Sequence, residues 1–201
     1  MKILITYAMP VEKPVCQLPA SCRLLETGIG KVLSTVKTAQ AVAEDRPDLI
    51  ISVGFCGGLN GSAQGSLILA RETRQWDFYL AIPTIAIGHG YQNHCPLPLP
   101  DNDRLLDFLS DKSVVRGTLI SGDRFVDREV HIDPDAVAVD METAALALLA
   151  REFRIPFLSL REVSDVADGE QGTPHEQFMN YIQSQGPGYS PVLEKFCMSC
   201  L

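Results

Sequence analysis

Carboxylates and one arginine stand beside apolar stretches of the sequence, where a buried strand would end. The run 140–142 (Asp-Met-Glu) closes one such stretch and opens an alanine-rich segment, Asp165 follows another, and Glu12 follows the first. Arg161 lies inside the apolar run 157–163. Charged groups in apolar surroundings need oppositely charged or hydrogen-bonding partners, or they have a functional role. These positions therefore form a candidate site. Carboxylates of this kind can act as a general acid and a general base.

Asp140 also has a simpler explanation. A carboxylate at the start of a helix is stabilised by the unpaired backbone N–H groups there, so Asp140 could be a capping residue. Glu142 is harder to explain in this way, because its neighbours Met141 and Ala144 are residues that are normally buried.

Two glycine clusters do not fit the usual nucleotide-binding patterns. Gly28-Ile29-Gly30 lacks the third glycine of the dinucleotide fingerprint, which would fall at Leu33, and Lys31 does not have the spacing of a phosphate-binding loop. The run 54–58 follows an apolar strand and would let backbone approach a ligand closely. Taken alone, each cluster indicates a tight turn more often than a binding site.

Strand and helix patterns alternate along the chain with no break in composition. We predict strands over 3–7, 48–54, 66–70, 113–120, 136–139 and 156–163, and helices over 31–45, 101–109, 142–153 and after 186–188. This alternation predicts one α/β domain over residues 1–201, with three layers in which helices flank a central, mostly parallel mixed sheet. Ligands of such sheets bind at the carboxyl ends of the strands, where the charged residues lie.

Composition narrows the class of partner. The chain has 201 residues, of which 46% are hydrophobic and 21% charged, enough for a real core. A net charge of −8 argues against nucleic acid and against anionic lipid, so a small molecule is the expected partner. We expect residues 1–7 to be a buried strand rather than a signal peptide, and no apolar stretch is long enough to span a bilayer.

The cysteines are too sparse for a disulfide scaffold, which favours a cytoplasmic location. They stand at 16, 22, 56, 95, 197 and 200. The run from Cys197 to Cys200 has no second pair and no histidine at zinc spacing, so we expect a frayed tail with two reduced thiols. We predict no metal and no organic cofactor.

Six motifs follow one another along nearly the whole chain. They are Met1-Lys2-Ile3 with Ala8-Met9 and Glu12; Thr27-Gly28-Ile29-Gly30-Lys31-Val32; Gly54 with Gly57-Gly58-Leu59; Ser121-Gly122-Asp123 with Phe125; Asp140-Met141-Glu142-Thr143-Ala144-Ala145; and Val163-Ser164-Asp165-Val166-Ala167-Asp168. In this order they resemble the purine nucleoside phosphorylase/nucleosidase superfamily, and the resemblance is greatest to 5′-methylthioadenosine/S-adenosylhomocysteine nucleosidases.

The resemblance implies a role for each matching residue. Asp165 would act at the purine N7, and Glu12 with Arg161 would hold the attacking water. Glu142 would accept hydrogen bonds from the ribose hydroxyls. The remaining members would contact the substrate: Met141 on the sugar, Phe125 on the base, Ser164 near the exocyclic amine, Ile29 at the 5′ substituent, and Met9, Phe55 and Gly57 elsewhere in the pocket. The resemblance also implies a homodimer.

These roles agree with the chemistry of N-glycosidic cleavage. Adenine anion is a poor leaving group, so the base needs a proton donor, and a desolvated carboxylic acid can supply it. The sugar passes through an oxocarbenium-like state that carboxylates stabilise, and a second carboxylate takes a proton from water. We therefore expect hydrolysis of an adenine nucleoside such as 5′-methylthioadenosine or S-adenosylhomocysteine.

Departures from the family pattern leave alternatives open. Phe55 and Cys56 replace small or hydroxyl residues, the segments 13–26 and 126–136 are short, and His175 stands where an aromatic residue usually covers the purine. Asp165 favours a 6-amino base, since relatives specific for 6-oxo bases more often carry Asn.

Two other functions remain possible, namely a phosphorylase, including one for a lipid-linked adenosyl substrate, and a non-catalytic nucleoside-binding relative. Phosphorylases of this superfamily carry Arg before the glycine cluster and Ser or Thr within it, where this chain has Ser52 and Phe55. We therefore predict water as the nucleophile, unless Arg71 or Arg124 enters the site.

Overall fold

The computed structural model describes residues 1–78, 97–109, 113–126, 135–166 and 172–201. Cys95, the pair 167–168 and positions 127–134 of the short segment lie outside the described residues. The strands are β1 (Ile3–Tyr7), β2 (Cys22–Glu26), β3 (Leu49–Gly58), β4 (Leu67–Gln75), β5 (Leu97–Pro98), β6 (Val114–Ser121), β7 (Ala136–Asp140) and β8 (Phe157–Val166). The α-helices are α1 (Lys31–Glu44), α2 (Thr143–Phe153), α3 (Pro174–Ser184) and α4 (Ser190–Ser199), and 3-10 helices cover Pro10–Glu12 and Pro100–Phe108.

The strands form one mixed sheet, part of which closes on itself. β1 pairs in parallel with β2 and β3. β3, β7, β6, β4 and β8 then pair in a ring, with parallel pairs β3–β8, β4–β6 and β6–β7 and antiparallel pairs β3–β7 and β4–β8. β5 adds to β4 in an antiparallel orientation. The predicted mostly parallel mixed sheet is confirmed.

Alternating side chains of the central strands fill two cores, one on each side of the sheet. In β1, Ile3 and Ile5 pack into a core with side chains of α3 and α4, such as Phe178 and Leu193. Leu4 between them packs into a second core with side chains of α1 and α2. This period of two places helices on both faces of the sheet and confirms the predicted three layers.

The predicted helix over 101–109 is present as a 3-10 helix, which begins at Pro100, whose fixed φ and missing N–H suit a first helical position. One prediction for the end of the chain needs correction. The C-terminal residues are not a frayed tail, because α4 continues to Ser199 and Cys197 is 1% exposed. No described helix is long and apolar enough to cross a membrane.

The glycine run 54–58 is also part of a strand rather than a turn. β3 extends four residues beyond its predicted end at Gly54 and reaches Gly58. A Cβ on Gly54 would lie 2.6 Å from Oε1 of Glu12, so glycine is required there by the close approach of a side chain.

Candidate active site

A pocket of about 190 Å³ lies where β1, β3, β7 and β8 reach their carboxyl ends. The loop after β6 and the first turns of α3 complete its wall. Such a position is the usual ligand site of an α/β sheet. The lining residues are Ala8, Met9, Glu12, Ile29, Phe55, Cys56, Gly57, Arg124, Phe125, Val126, Val139, Asp140, Met141, Glu142, Ser164, Asp165, His175 and Phe178.

Glu12 is buried in the pocket wall and held by three backbone donors. The 3-10 turn after β1 carries it back toward the strand, where its Oε2 accepts hydrogen bonds from the N–H groups of Ala8 and Met9, both at 2.9 Å. Its Oε1 accepts one from Phe55 N–H in β3, also at 2.9 Å. Burial raises the pKa of Glu12, although Arg161 and the three donors act in the opposite direction. Such a carboxylate is a competent proton acceptor.

Arg161 lies behind this wall and does not line the pocket. It is 2% exposed, and its Nε donates to Oδ2 of Asp140 at 2.8 Å while its Nη2 donates to Ser52 Oγ at 3.0 Å. Burial alone would lower the pKa of Arg161, but the carboxylates of Asp140, Glu142 and Glu12 outweigh it and raise that pKa. Arg161 therefore stays charged. Its Nη1 has no hydrogen-bond partner among the described residues, and a Cβ on Gly54 would lie 3.2 Å from it.

Asp140 has the capping function that its position suggested, together with a second task. Its carboxylate accepts a hydrogen bond from the N–H of Thr143 in the first turn of α2 at 3.2 Å, and others from the hydroxyls of Thr143 and Ser121. It also pairs with Arg161. Both oxygens are thus committed to protein donors, which makes Asp140 a structural member of the site.

Glu142 is the residue immediately before α2, and its side chain turns toward the pocket. Its Oε1 accepts a hydrogen bond from Gly30 N–H, at the start of α1, at 2.9 Å. Burial and the nearby Asp140 carboxylate raise the pKa of Glu142 to about 8, against the lowering effect of Arg161 and Gly30. One carboxylate oxygen is thus fixed by the protein, and the residue keeps acceptor capacity for a ligand with hydroxyl donors.

A bulge in β8 places Asp165 in the pocket. Cys56 of β3 pairs with Val163, but the next residue, Gly57, pairs with Asp165, so Ser164 is the extra residue. A bulge of this kind re-aims the side chains that follow it. The Ser164 hydroxyl donates to Asp165 Oδ1 at 2.7 Å. Burial raises the pKa of Asp165 to about 6, while the Ser164 hydroxyl lowers it.

Aromatic side chains form the rest of the wall. Phe55 contacts Phe178 of α3 edge-on, with ring centroids 6.4 Å apart, and Phe125 contacts both Phe178 and His175 in the same manner at 6.3 and 6.2 Å. Phe125 is 39% exposed and Ile29 is 50% exposed, so one end of the pocket is open. A flat apolar group would fit between these rings and the buried carboxylates of the pocket.

The structure brings together ten of the eleven site residues named from the sequence, and Arg161 supports the wall from behind. We did not predict α3 from the sequence or assign Phe178 to the site, although His175 was expected where an aromatic residue usually covers the purine. A capping box was the available signal, because Thr173 Oγ1 accepts from Glu176 N–H and the Glu176 carboxylate accepts from Thr173 N–H around Pro174. Within the described ranges, no group of three His, Cys, Asp or Glu side chains could hold a metal ion.

Comparison with known proteins gives the family and a similar fold. A family model described as the phosphorylase superfamily matches residues 21–186. The fold is similar to a 5′-methylthioadenosine/S-adenosylhomocysteine nucleosidase from S. pneumoniae with a transition-state inhibitor (25% identity, TM-score 0.82, 100% of both chains). It is also similar to the nucleosidase from Neisseria meningitidis in complex with methylthio-immucillin-A (24% identity, TM-score 0.83, covering 100% of this chain and 99% of that chain). A third similar structure is the nucleosidase from Colwellia psychrerythraea in complex with adenine (24% identity, TM-score 0.79, covering 98% of this chain and 95% of that chain).

Proposed function

The chain belongs to the phosphorylase superfamily, and we propose that it hydrolyses the N-glycosidic bond of an adenine nucleoside such as 5′-methylthioadenosine or S-adenosylhomocysteine. One observation carries the proposal: Glu12, Glu142 and Asp165 line a single pocket, and burial raises the pKa of each. A binding protein would have no need for three carboxylates with raised proton affinity. We propose that residues 1–201 act as one domain, because the pocket takes side chains from Met9 to Phe178.

Asp165 is the proposed acid. With a pKa of about 6, part of its population is protonated near neutral pH, and the protein can deliver that proton to N7 of the base. The C1′–N9 bond then breaks, and its electron pair leaves with the base. Ser164 orients the carboxyl group through its hydrogen bond to Oδ1.

Glu142 and Glu12 act on the sugar side of the pocket. Glu142 accepts hydrogen bonds from the ribose hydroxyls and stabilises the positive charge that develops on the ring. Glu12 takes a proton from water as the water oxygen bonds to C1′, so that free base and free sugar are the products. Arg161 lowers the pKa of Glu12 against the larger effect of burial, and it presents Nη1 beside the carboxylate.

The pocket wall supports an apolar 5′ substituent. Ile29, Met9 and Phe125 lie near its open end, and Met141 and Val139 lie beside the carboxylates. Apolar contacts around a few convergent polar groups are typical of a small-molecule site.

A phosphorylase is the second candidate, and one observation favours it. Arg124, one of the two arginines that could have entered the site, lines the pocket, whereas Arg71 does not. Phosphate is a dianion that calls for several charged donors. Among the described residues, Arg124 is the one arginine in the lining, which also carries the carboxylates of Glu12, Asp140, Glu142 and Asp165, so water remains the proposed nucleophile.

We expect base release at full rate in phosphate-free buffer, with the free sugar as the second product. The measurement is adenine release from 5′-methylthioadenosine with and without phosphate, together with identification of the sugar. A strict requirement for phosphate and a sugar 1-phosphate product would establish the phosphorylase instead, and Arg124→Gln would then raise the KM for phosphate.

A homodimer is proposed from an apolar stripe beside the pocket. Val32, Leu33 and Val36 lie on the first turns of α1, Ile29 lies just before the helix, and Val32 is 74% exposed. Exposed apolar stripes of this kind are typical of interfaces. Sedimentation equilibrium should give a dimer for the unmodified chain and a monomer for V32E/V36E, and a monomeric unmodified chain would contradict the proposal.

A further inference from the structure

The outer edge of β8 changes its partners just before the strand reaches the pocket. Among the described residues, β4 pairs with β8 at Glu162 and Arg161 and no further along the strand. The turn before β4 takes over there, because Gly65 N–H donates to the backbone oxygen of Val163 at 2.8 Å and Val163 N–H donates to that of Ser66 at 2.9 Å. The bulge that follows therefore lies beyond the last strand pair on this side.

Two glutamine side chains bond to the backbone of this bulge, one before Asp165 and one after it. Gln64 Nε2 donates to the backbone oxygen of Ser164 at 2.7 Å. Gln177 Oε1 accepts from Val166 N–H at 3.0 Å, and Gln177 Nε2 donates to the Val166 backbone oxygen, also at 3.0 Å. Each glutamine thus holds one of the two peptide groups that flank the Cα of Asp165.

Gln177 is the more firmly held of the two glutamines. It lies in the first turns of α3 and is 5% exposed, and its Nε2 also donates to the backbone oxygen of Gly172 at 3.3 Å. The orientation of its amide follows from its partners, because a backbone N–H can only donate and a carbonyl oxygen can only accept. An apolar side chain here could satisfy neither backbone group of Val166. Gln64 is exposed, so water can partly replace it.

The direction of the Asp165 side chain depends on these backbone bonds. The Ser164 hydroxyl holds its Oδ1, but a bulge disrupts the regular pairing of the strand and aims the side chains that follow it. A general acid must lie within hydrogen-bond reach of the atom that it protonates, and a misplacement of about 1 Å can cost about 10²-fold in rate. The two flanking peptide groups are therefore the parts of the backbone whose orientation the reaction needs.

Anchoring α3 is the competing explanation for Gln177, because α3 carries His175 and Phe178 of the pocket wall. The same helix has a second hydrogen bond to β8, in which Tyr181 Oη donates to Glu162 Oε1 at 2.8 Å. Glu162 precedes the bulge, so this bond anchors α3 without holding either peptide group beside Asp165. Tyr181 thus offers a matched control.

We propose that Gln177, supported by Gln64, is a positioning residue that sets the direction in which Asp165 delivers its proton. The inference rests on the proposed nucleoside hydrolysis and adds to it the groups that hold the acid. Neither glutamine is among the described residues that line the pocket, so both act through the backbone of Asp165 and not on the substrate.

The test compares two leaving groups in Gln177→Met, which has a side chain of similar length without the amide. Adenine needs the proton from Asp165, whereas nitrophenolate leaves without one. For adenine release from 5′-methylthioadenosine, kcat should fall by about 10- to 10²-fold with little change in KM, and cleavage of a nitrophenyl riboside should be nearly unchanged. In an Asp165→Asn background, Gln177→Met should cause no further loss of kcat.

Two further variants separate positioning of the acid from anchoring of the helix. Tyr181→Phe should leave kcat for adenine release close to that of the unmodified chain. Gln177→Glu keeps the acceptor for Val166 N–H and should lose less activity than Gln177→Met. An equal fall for both leaving groups, a further loss in the Asp165→Asn background, or the same loss in Tyr181→Phe would overturn the positioning role.

The same series keeps this inference separate from the proposed function. Absence of adenine release by the unmodified chain would refute the proposed function and the positioning role with it. Normal release by Gln177→Met beside impaired release by Asp165→Asn would refute the positioning role alone. If Gln177→Met does not fold, Gln64→Met decides, because its side chain is exposed, and it should show a several-fold loss confined to the adenine nucleoside. An unchanged kcat or an equal loss for both leaving groups in Gln64→Met would then overturn the proposal.

Discussion

Asp165→Asn is expected to lower kcat for an adenine nucleoside by at least ~10²-fold, the lower end of a general-acid contribution. Asn has the same shape and can still accept the hydrogen bond from Ser164 at 2.7 Å, so the fold should persist with an unchanged Tm. The amide cannot deliver a proton to the base. The measurement is kcat for adenine release from 5′-methylthioadenosine.

Two controls tie this loss to proton transfer. A riboside with a nitrophenolate leaving group needs no acid, so Asp165→Asn should cleave it nearly as fast as the unmodified enzyme does. Because the acid must be protonated, kcat/KM for the adenine nucleoside should fall as the pH rises through the pKa of about 6. The Ser164 hydroxyl lowers that pKa, so Ser164→Ala should move the fall to higher pH. Near-normal turnover of the adenine nucleoside by Asp165→Asn would refute the assignment.

At a pH above the Glu142 pKa of about 8, where its carboxylate is charged, Glu142→Gln is expected to lower kcat/KM for a riboside by about 10²-fold, the cost of weakening two hydrogen bonds to a charged acceptor. The Gln carbonyl can keep the hydrogen bond from Gly30 N–H at 2.9 Å, so the pocket wall should stay in place. The amide group would then face the sugar hydroxyls.

A 2′-deoxy analogue provides the internal comparison for this variant. It lacks one of the two hydroxyls, so Glu142→Gln should impair its cleavage far less than that of the riboside. The quantity to compare is the ratio of kcat/KM for the two substrates. A ratio equal to that of the unmodified enzyme would exclude a ribose-binding role for Glu142.

Much of the pocket could be predicted because apolar runs in a sequence show where buried strands end. The apolar runs that became β1, β7 and β8 end beside Glu12, Asp140 and Asp165. Parallel pairing with β3 brings the ends of β1 and β8 to one edge, and β7 meets them because its last residues pair with the last residues of β3. The local pattern could not show the bulge at Ser164, which decides the direction of the Asp165 side chain. Nor could it show that Asp140, rather than the pocket, engages Arg161.

The features that the sequence patterns did not predict involve glycine residues within a strand and contacts between residues far apart in the chain. Because glycine has low strand propensity, we predicted that β3 ends at Gly54. In the structure the strand continues, and glycine is required at position 54 because Glu12 and Arg161 approach it closely. Phe178 contacts Phe55 although the two are far apart in sequence, and spacing between neighbouring residues carries no information about such a contact. The resemblance to nucleosidases supplied the roles of Met9, Ile29 and Phe125, which no local pattern would have singled out.

The hydrogen bond from Tyr189 to Glu12 has a consequence for protein synthesis. The two residues are 177 positions apart, and ribosomes add roughly 5–20 residues per second, so Glu12 waits on the order of 10–35 s for its partner. Until then the backbone oxygen of Glu12 lacks its hydrogen bond from Tyr189. The helix α3, which completes the pocket wall, is synthesised only shortly before Tyr189. The proposed hydrolytic site of the nascent chain is therefore complete only after Tyr189 has been synthesised.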